Sequence, residues 1–400
     1  MQSTARVPVG RIILVLGLLT AFGPFATDMY LSGFGAIARS LRTDIDQVQL
    51  SLSTFFLGLC IGQLFYGPLI DAFGRRGPLL LGVSLFIVAS LAAALAPDIG
   101  TFITVRFVQA VGGCAGVVVS RALIHDLMDQ REAARALSLM MIVQSVGPIV
   151  APVLGAYILT VGSWRAIFAF LVVLGLACVI AAYRVIPETL SVERRSPLAL
   201  GSVLGAYRQL LGNRQFIIPT LASSIALSQV FAFISGSPFV YMTLHGVSQQ
   251  QYGFLFAMNA LSLVFASQLN RLLLKRVAPP AVFAWSLVAN LCATGLLLAL
   301  ASSTSLVALM IPLLLAIATL PLVGANGVVL AMSAGSQRAG SASSIIGVLQ
   351  YGLASLVSAL VGLLHNGTAY PMCGLMFGGA ALGSLIFFLG RQRVLVTTPA

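Results

Sequence analysis

The chain has 400 residues, of which 59% are hydrophobic and only 8% charged. A water-soluble protein of this length needs far more polar surface, so a soluble enzyme or binding domain is excluded. The formal charge of +12 would suit a nucleic-acid partner, but the basic residues stand at the ends of apolar runs, where they serve membrane orientation instead.

Apolar runs of about 20 residues recur throughout, each long enough to cross about 30 Å of hydrocarbon as a helix. The short alternating segments of a β-barrel are absent, so the fold class is an all-α membrane protein. Twelve spans are predicted, at 12–36, 49–70, 79–96, 101–123, 135–160, 165–184, 216–240, 251–270, 281–300, 306–331, 341–364 and 371–390. The first resembles a signal peptide in having Arg6 and Arg11 ahead of an apolar core. No small-x-small cleavage site follows, and the run continues past Asp28, which predicts one long helix.

Span one carries "FGPFATDMYLSGFG" (22–35), which places Asp28 in an apolar run with no other charge between Arg11 and Arg39. The loop after span two, "GPLIDAFGRR" (67–76), predicts a tight turn at Gly74 with Asp71 near the positive end of a helix and Arg75 paired with an acid such as Asp126. Span four contains "RFVQAVGG" (106–113), and Arg106 is the only basic residue inside a predicted span away from the last few residues at either end, as Asp28 is the only acid within one. Counted from Arg39, Asp28 lies about 16 Å below the surface; counted from Asp98, Arg106 lies about 12 Å below it. At such depth either charge alone would cost about 2.5–3.5 kcal/mol. Desolvation and a nearby guanidinium act in opposite senses on a carboxyl's hold on its proton, so a change in their separation would load or release one. A permanent structural ion pair is the competing account.

Span five contains "GPIVAPVLG" (147–155). Pro148 and Pro152 remove two backbone donors and kink the helix, while Gly147, Ala151 and Gly155 share a face that permits close packing. The segment 185–214 is the one long connection, dividing the chain into an N-terminal bundle (1–184), a linker (185–214) and a C-terminal bundle (215–400). After Glu193 there is no acid at all, so a proton carried on an intramembrane carboxylate must use Asp28. The second half instead offers Gln229, Asn259, Asn326, Gln350 and Tyr351 within spans, with Phe231, Phe233 and Phe239 in span seven. An apolar cavity with a few polar groups suits drug-like ligands, although such residues also join helices. His125, His245 and His365 fall near span ends and are expected to be solvated. Cys60, Cys114, Cys178, Cys292 and Cys373 read as small buried hydrophobes rather than as disulfides or metal ligands.

An even number of spans puts both termini on one side. Eighteen Lys and Arg fall on the terminal side and three on the other, with Arg106 inside a span, so the termini are expected in the cytoplasm. The halves are weakly alike: "YGPLIDAFGRRGP" follows span two and "SQLNRLLLKRVAPP" follows span eight. Lys275 is the single lysine and no glycine loop precedes it, which argues against an ATP-driven pump; no nucleophile–base pair suggests an enzyme.

The six-plus-six plan with a parallel repeat resembles the major facilitator architecture. Gly67, Asp71, Gly74, Arg75 and Arg76 match that superfamily's loop motif, which by resemblance is a cytoplasmic gate, with Asp126 as partner. Gly147, Pro148, Pro152 and Gly155 match its antiporter motif. Together with "TDMYL" (27–31), "RALIHDL" (121–127), "WRAIF" (164–168), "PETLSVERRSP" (187–197), "SGSPFVY" (235–241) and "AGSASS" (339–344), these stretches resemble the Bcr/CflA drug-resistance transporters. The resemblance departs at Ser32, where the family commonly has proline, so that span one should bend less, and at His125, where it often has arginine.

The resemblance implies a monomeric, proton-driven exporter of bicyclomycin-, chloramphenicol- or sulfonamide-type drugs in the bacterial inner membrane, with no cofactor beyond the proton gradient. Asp28 would be proton and drug site and Arg106 its partner, and Tyr30, Gln109, Gln229, Phe233 and Asn326 would line the cavity. Transport of a natural metabolite such as a sugar or purine in the same fold is the alternative. A channel or receptor would not need an acid and a base buried at matched depth.

Overall fold

The chain's few charges stand at the ends of its helices, and that spacing sets the architecture. The structure, a computed structural model, describes residues 9–128, 130–191, 193, 195, 200–334 and 339–395. Arg6, Arg194 and Arg338, together with the side chains of Arg131, Arg135, Arg391, Arg393 and His125, lie outside the described residues. Eleven helices among the described residues are long and apolar enough to cross a membrane; the helix Gln130–Val161, apolar over Val146–Val161, stands in the fifth place. Spans two, three and four are the helices Ile45–Phe73, Arg76–Ala94 and Ile99–Leu127, and span six is Trp164–Val185. Span seven runs Arg214–Leu244, eight Gln249–Leu273, nine Pro279–Ala299, ten Leu306–Ala334, eleven Ala339–Leu363 and twelve Tyr370–Leu395.

Span one is not one long helix. It consists of helical pieces Val9–Thr20, Phe22–Asp28 and Phe34–Leu41, with a 3-10 turn at Leu31–Gly33. Pro24 lacks an N–H, and the Thr20 and Thr27 hydroxyls bond back to the carbonyls of Gly17 and Gly23 at 2.8 and 2.9 Å, which bends a helix. Ser32 sits inside the 3-10 turn, so the missing proline does not straighten this region. Span seven is broken in the corresponding place, at Ser228, and ends in a π-helical turn, Phe239–Leu244, after Pro238.

Span four lies along spans two and three and span six lies along span three, while in the second half span seven packs on ten and twelve, which both pack on nine. The two sets meet where span two lies along eleven and span five along eight. Between spans two and eleven, the Ser53 hydroxyl donates to the Ser355 carbonyl at 2.8 Å. At the arginine-poor end of that seam, His365 Nδ1 lies 3.3 Å from the Asp46 carboxylate, and His245 bonds the Val240 carbonyl at 2.7 Å. These two imidazoles are therefore engaged by protein rather than simply solvated. The linker carries a helix of its own, Leu200–Gly212, whose Leu210 packs with Phe216 and Ala342. Cys60, Cys114, Cys178 and Cys373 are buried, but Cys292 is exposed on the outside of span nine.

Candidate functional site

Asp28 ends the helical piece that precedes the break in span one. It is 3% exposed, and its Oδ1 has no hydrogen-bond partner. Helix ends leave carbonyls without intrahelical donors, and here one of them, Ala26, is met by Arg106 from span four, whose Nη2 donates to it at 2.8 Å. The other terminal nitrogen donates to Gln109 Oε1, and Gln109 Nε2 donates to Ser90 Oγ at 2.7 Å in span three. The guanidinium lies 4.2 Å from the Phe55 ring centroid, 4.4 Å from Tyr30 and 5.6 Å from Phe168, a buried aromatic box for a cation.

The expected Asp28–Arg106 contact therefore takes another form. Both residues stand at the same break, but the arginine ion pairs among the described residues are Arg75–Asp71 and Arg75–Asp126, near helix ends. The fully buried arginine holds the backbone of span one and leaves the carboxylate free of an ion pair. Tyr30 is 1% exposed, with its hydroxyl 3.3 Å from Ser51 Oγ, which ties the turn to span two.

The glycines of span five press on the same break. A Cβ at Gly147 would lie 2.6 Å from Pro24 Cβ, and one at Gly155 would collide with the Met29 carbonyl oxygen. Pro148 and Pro152 lie within that helix, and the Pro152 carbonyl faces Gly253 of span eight. Gly155→Ala should displace span one and destabilise the protein by about 1–3 kcal/mol, as overpacking does. A detergent melt matching wild type would show that the contact is loose.

The second-half residues are only partly gathered here. Phe233 is 3% exposed and stacks on Phe256 with centroids 5.2 Å apart. Gln229 donates to Asn290 Oδ1 at 2.7 Å, and Asn290 in turn donates to Thr319 Oγ1 at 2.9 Å, joining spans seven, nine and ten. Asn326 donates to Asn270 Oδ1 at 2.8 Å, joining spans ten and eight. The nitrogens of both amides thus join helices, while Gln229 Oε1 and Asn326 Oδ1 have no partner among the described residues. A cavity of about 650 Å³ lies between spans eight, nine and ten, with Phe265, Trp285 and Thr319 in its wall, and none of the expected site residues lines it.

At the arginine-rich end, Gly74 turns the chain at φ 92°, conformational space that favours glycine, and a Cβ there would lie 2.5 Å from Glu188 Oε2. Arg75 bonds Asp71 at 2.5 Å and Asp126 at 3.0 Å. Asp71 thus pairs within its own loop rather than with a distant helix end, and Gly67 has nothing within 4 Å of a would-be Cβ. Arg76 donates to the Tyr183 carbonyl at 2.6 Å.

Composition and spacing did not single out Glu188. It accepts from the backbone N–H groups of Arg75 at 2.8 Å and Arg76 at 3.1 Å, at the N-terminus of span three, while Thr189 Oγ1 bonds Asp126 at 2.8 Å. Its place in "PETL" directly after a span was the one available signal. Burial alone would push the Glu188 carboxyl up, but the N–H bonds from Arg75, Leu190, Arg76 and Thr189 outweigh it and hold the group below its ordinary 4.5. A depressed folded value contributes stability that is present above pH 4.5 and lost as pH falls through the lower folded value. Glu188→Gln should remove that acid dependence and cost about 1 kcal/mol or less, water screening the exposed group. Proteolysis of the linker against pH measures this, and equal profiles would show the bonds to be inconsequential.

The Major Facilitator Superfamily model matches residues 16–359. The chain is 37% identical over 395 residues to the uncharacterized MFS-type transporter YdgK of Bacillus subtilis (strain 168), covering 97% of this chain and 98% of that one. It is 32% identical over 382 residues to a bicyclomycin resistance protein homolog of Haemophilus influenzae, covering 95% and 96%. It is 30% identical over 381 residues to a chloramphenicol resistance protein of Pseudomonas aeruginosa, covering 92% and 87%. Among solved structures it is similar to a D-xylose-proton symporter, with TM-score 0.73 at 15% identity over 95% of this chain and 97% of that one, a likeness of fold. The chain is a multi-pass membrane transporter that belongs to the Major Facilitator Superfamily, close to its Bcr/CflA and MdtL drug-resistance members rather than to any enzyme family.

Proposed function

We propose that this transporter exports drugs of the bicyclomycin or chloramphenicol type from the bacterial cytoplasm in exchange for protons, with Asp28 as the proton carrier. The observation that carries the reading is the buried Asp28 carboxyl, whose Oδ1 has no partner, at a break in the helix beside the seam between the two halves. Such a group is costly in hydrocarbon unless it titrates or meets a ligand. The positive-inside rule puts the arginine-rich end and both termini in the cytoplasm. Residues 1–184 and 215–400 then rock about the seams of spans two and eleven and spans five and eight, joined by the linker 185–214. Arg106 keeps the broken span in register, and Tyr30, two residues from the carboxyl, and Phe233 of span seven would supply aromatic contacts to a drug once the halves part. Relatives named for bicyclomycin and chloramphenicol resistance support the choice of substrate.

The test uses purified protein in liposomes with an imposed proton gradient and an interior pH dye. Bicyclomycin or chloramphenicol should trigger proton flux in wild type. Silence with every drug, alongside flux with a sugar or purine, would replace this reading with metabolite transport.

A further inference from the structure

Spans eight and nine follow one another in the chain, yet both lie along span ten rather than along each other. The gap between them is the cavity of about 650 Å³, and it opens on the outside of the bundle, where Phe265 and Trp285 are 73% and 60% exposed. Its floor is apolar: Ala266, Val282 and Leu322 form one buried cluster. Three hydroxyls reach its wall, and each donates to a carbonyl of its own helix. Ser262 bonds Asn259 at 2.6 Å, Ser286 bonds Val282 at 2.6 Å and Thr319 bonds Ala316 at 2.7 Å. The surface left to an occupant is chiefly hydrocarbon, and an empty gap would forfeit the contacts its lining atoms need.

Length and charge narrow the occupant further. Along span eight the lining runs from Ser262 to Leu273, about 16 Å of helix, which is close to half of a hydrocarbon layer about 30 Å thick. The groove therefore spans one leaflet, the one on the arginine-rich side. At its mouth the N–H groups of Arg276 and Val277 both donate to the Leu273 carbonyl at 2.9 Å, which sets Lys275 and Arg276 at the end of the groove. Arg271 precedes them by about one turn, and all three residues are exposed. No ion pair among the described residues engages them, and no acid follows Glu193 in the chain. A cluster of unneutralised cations thus stands over a leaflet-deep apolar groove.

We propose that this groove binds one anionic phospholipid, with an acyl chain between spans eight, nine and ten and the phosphate group on Lys275 and Arg276. Basic residues at the edge of a membrane attract anionic headgroups, and a groove beneath them turns that attraction into retention of a single molecule. Cations alone would serve orientation, and a groove alone would accept any lipid tail. Their junction at Leu273 is what selects the headgroup. Span eight is also the helix that meets span five of the first half, so the lipid braces one side of that seam. The site is separate from Asp28 and holds whether or not Asp28 carries protons.

Trp285, in the wall of the groove, reports on its occupant. The chain has two tryptophans, and the other, Trp164, is buried in the first half with an indole N–H that has no partner, so Trp164→Phe strands no acceptor. Full-length Trp164→Phe protein in phosphatidylcholine liposomes is titrated with phosphatidylglycerol or phosphatidylcholine brominated on the acyl chains, which quenches an indole in contact with it. Brominated phosphatidylglycerol should half-quench Trp285 at a mole fraction about fivefold lower for each cation it engages, the factor that one Lys or Arg near a membrane surface contributes. Adding Lys275→Gln and Arg276→Gln should bring its curve onto that of phosphatidylcholine. Equal quenching by both lipids before those substitutions would mean ordinary boundary contact and overturn the site. Selectivity that survives the double substitution would overturn the assignment of the phosphate to Lys275 and Arg276. Quenching relieved by bicyclomycin or chloramphenicol would make the groove a drug vestibule instead.

Discussion

Asp28→Asn should insert and fold as wild type does, yet show no drug-driven proton flux above background. Asparagine has nearly the shape of aspartate and no charge, so the substitution lifts a burial cost of about 2.5–3.5 kcal/mol that the ionised form bears in hydrocarbon. Stability is therefore kept or slightly increased. Coupling is lost because no other carboxyl can take over: Asp28 is the only acid inside a predicted span, and none follows Glu193 in the remaining half of the chain. Flux assays paired with a detergent melt separate the two effects. Undiminished proton-driven export by the asparagine variant would mean that protons travel by another route and that the aspartate is structural.

Arg106→Ala should damage both stability and transport, and Arg106→Lys should fall between alanine and wild type. The alanine variant strands the Ala26 carbonyl and Gln109 Oε1 in the interior, at about 1–3 kcal/mol for each buried group left without a partner. It also empties the box formed by Tyr30, Phe55 and Phe168. Lysine restores the charge but not the planar fork that spans two acceptors while stacking on rings. The expected order, wild type above lysine above alanine, applies to the melting temperature and to drug-triggered flux alike. Two variants as stable and active as wild type would make Arg106 a bystander.

Much of this molecule is legible in its residues alone. The apolar runs give the spans, because hydrocarbon thickness dictates a local length that hydropathy records directly. The arginine distribution predicts orientation, and the lone acid and lone base stand out against apolar neighbours whatever the fold around them. The loop 67–76 and the glycines and prolines of 147–155 also announce a turn and a close-packed, kinked helix through local chemistry.

Partners are a different matter, since they depend on how each helix is rotated and what lies across from it. Equal depth lets Asp28 and Arg106 meet or share a water, but it does not reveal that the end of a helical piece leaves the Ala26 carbonyl to take a guanidinium nitrogen. Nor does composition say that the Gln229 and Asn326 nitrogens bond Asn290 and Asn270 on neighbouring helices while their oxygens stay without partners. Glu188 finds its donors 112 and 113 residues away in sequence, at the start of span three. Local chemistry alone fixes a membrane-embedded chain with a single acid in its predicted spans, because those properties are sums over neighbouring residues. Which groups that acid's neighbours touch follows from the fold, because a buried polar atom takes whichever partner the packing of distant helices brings within hydrogen-bond distance.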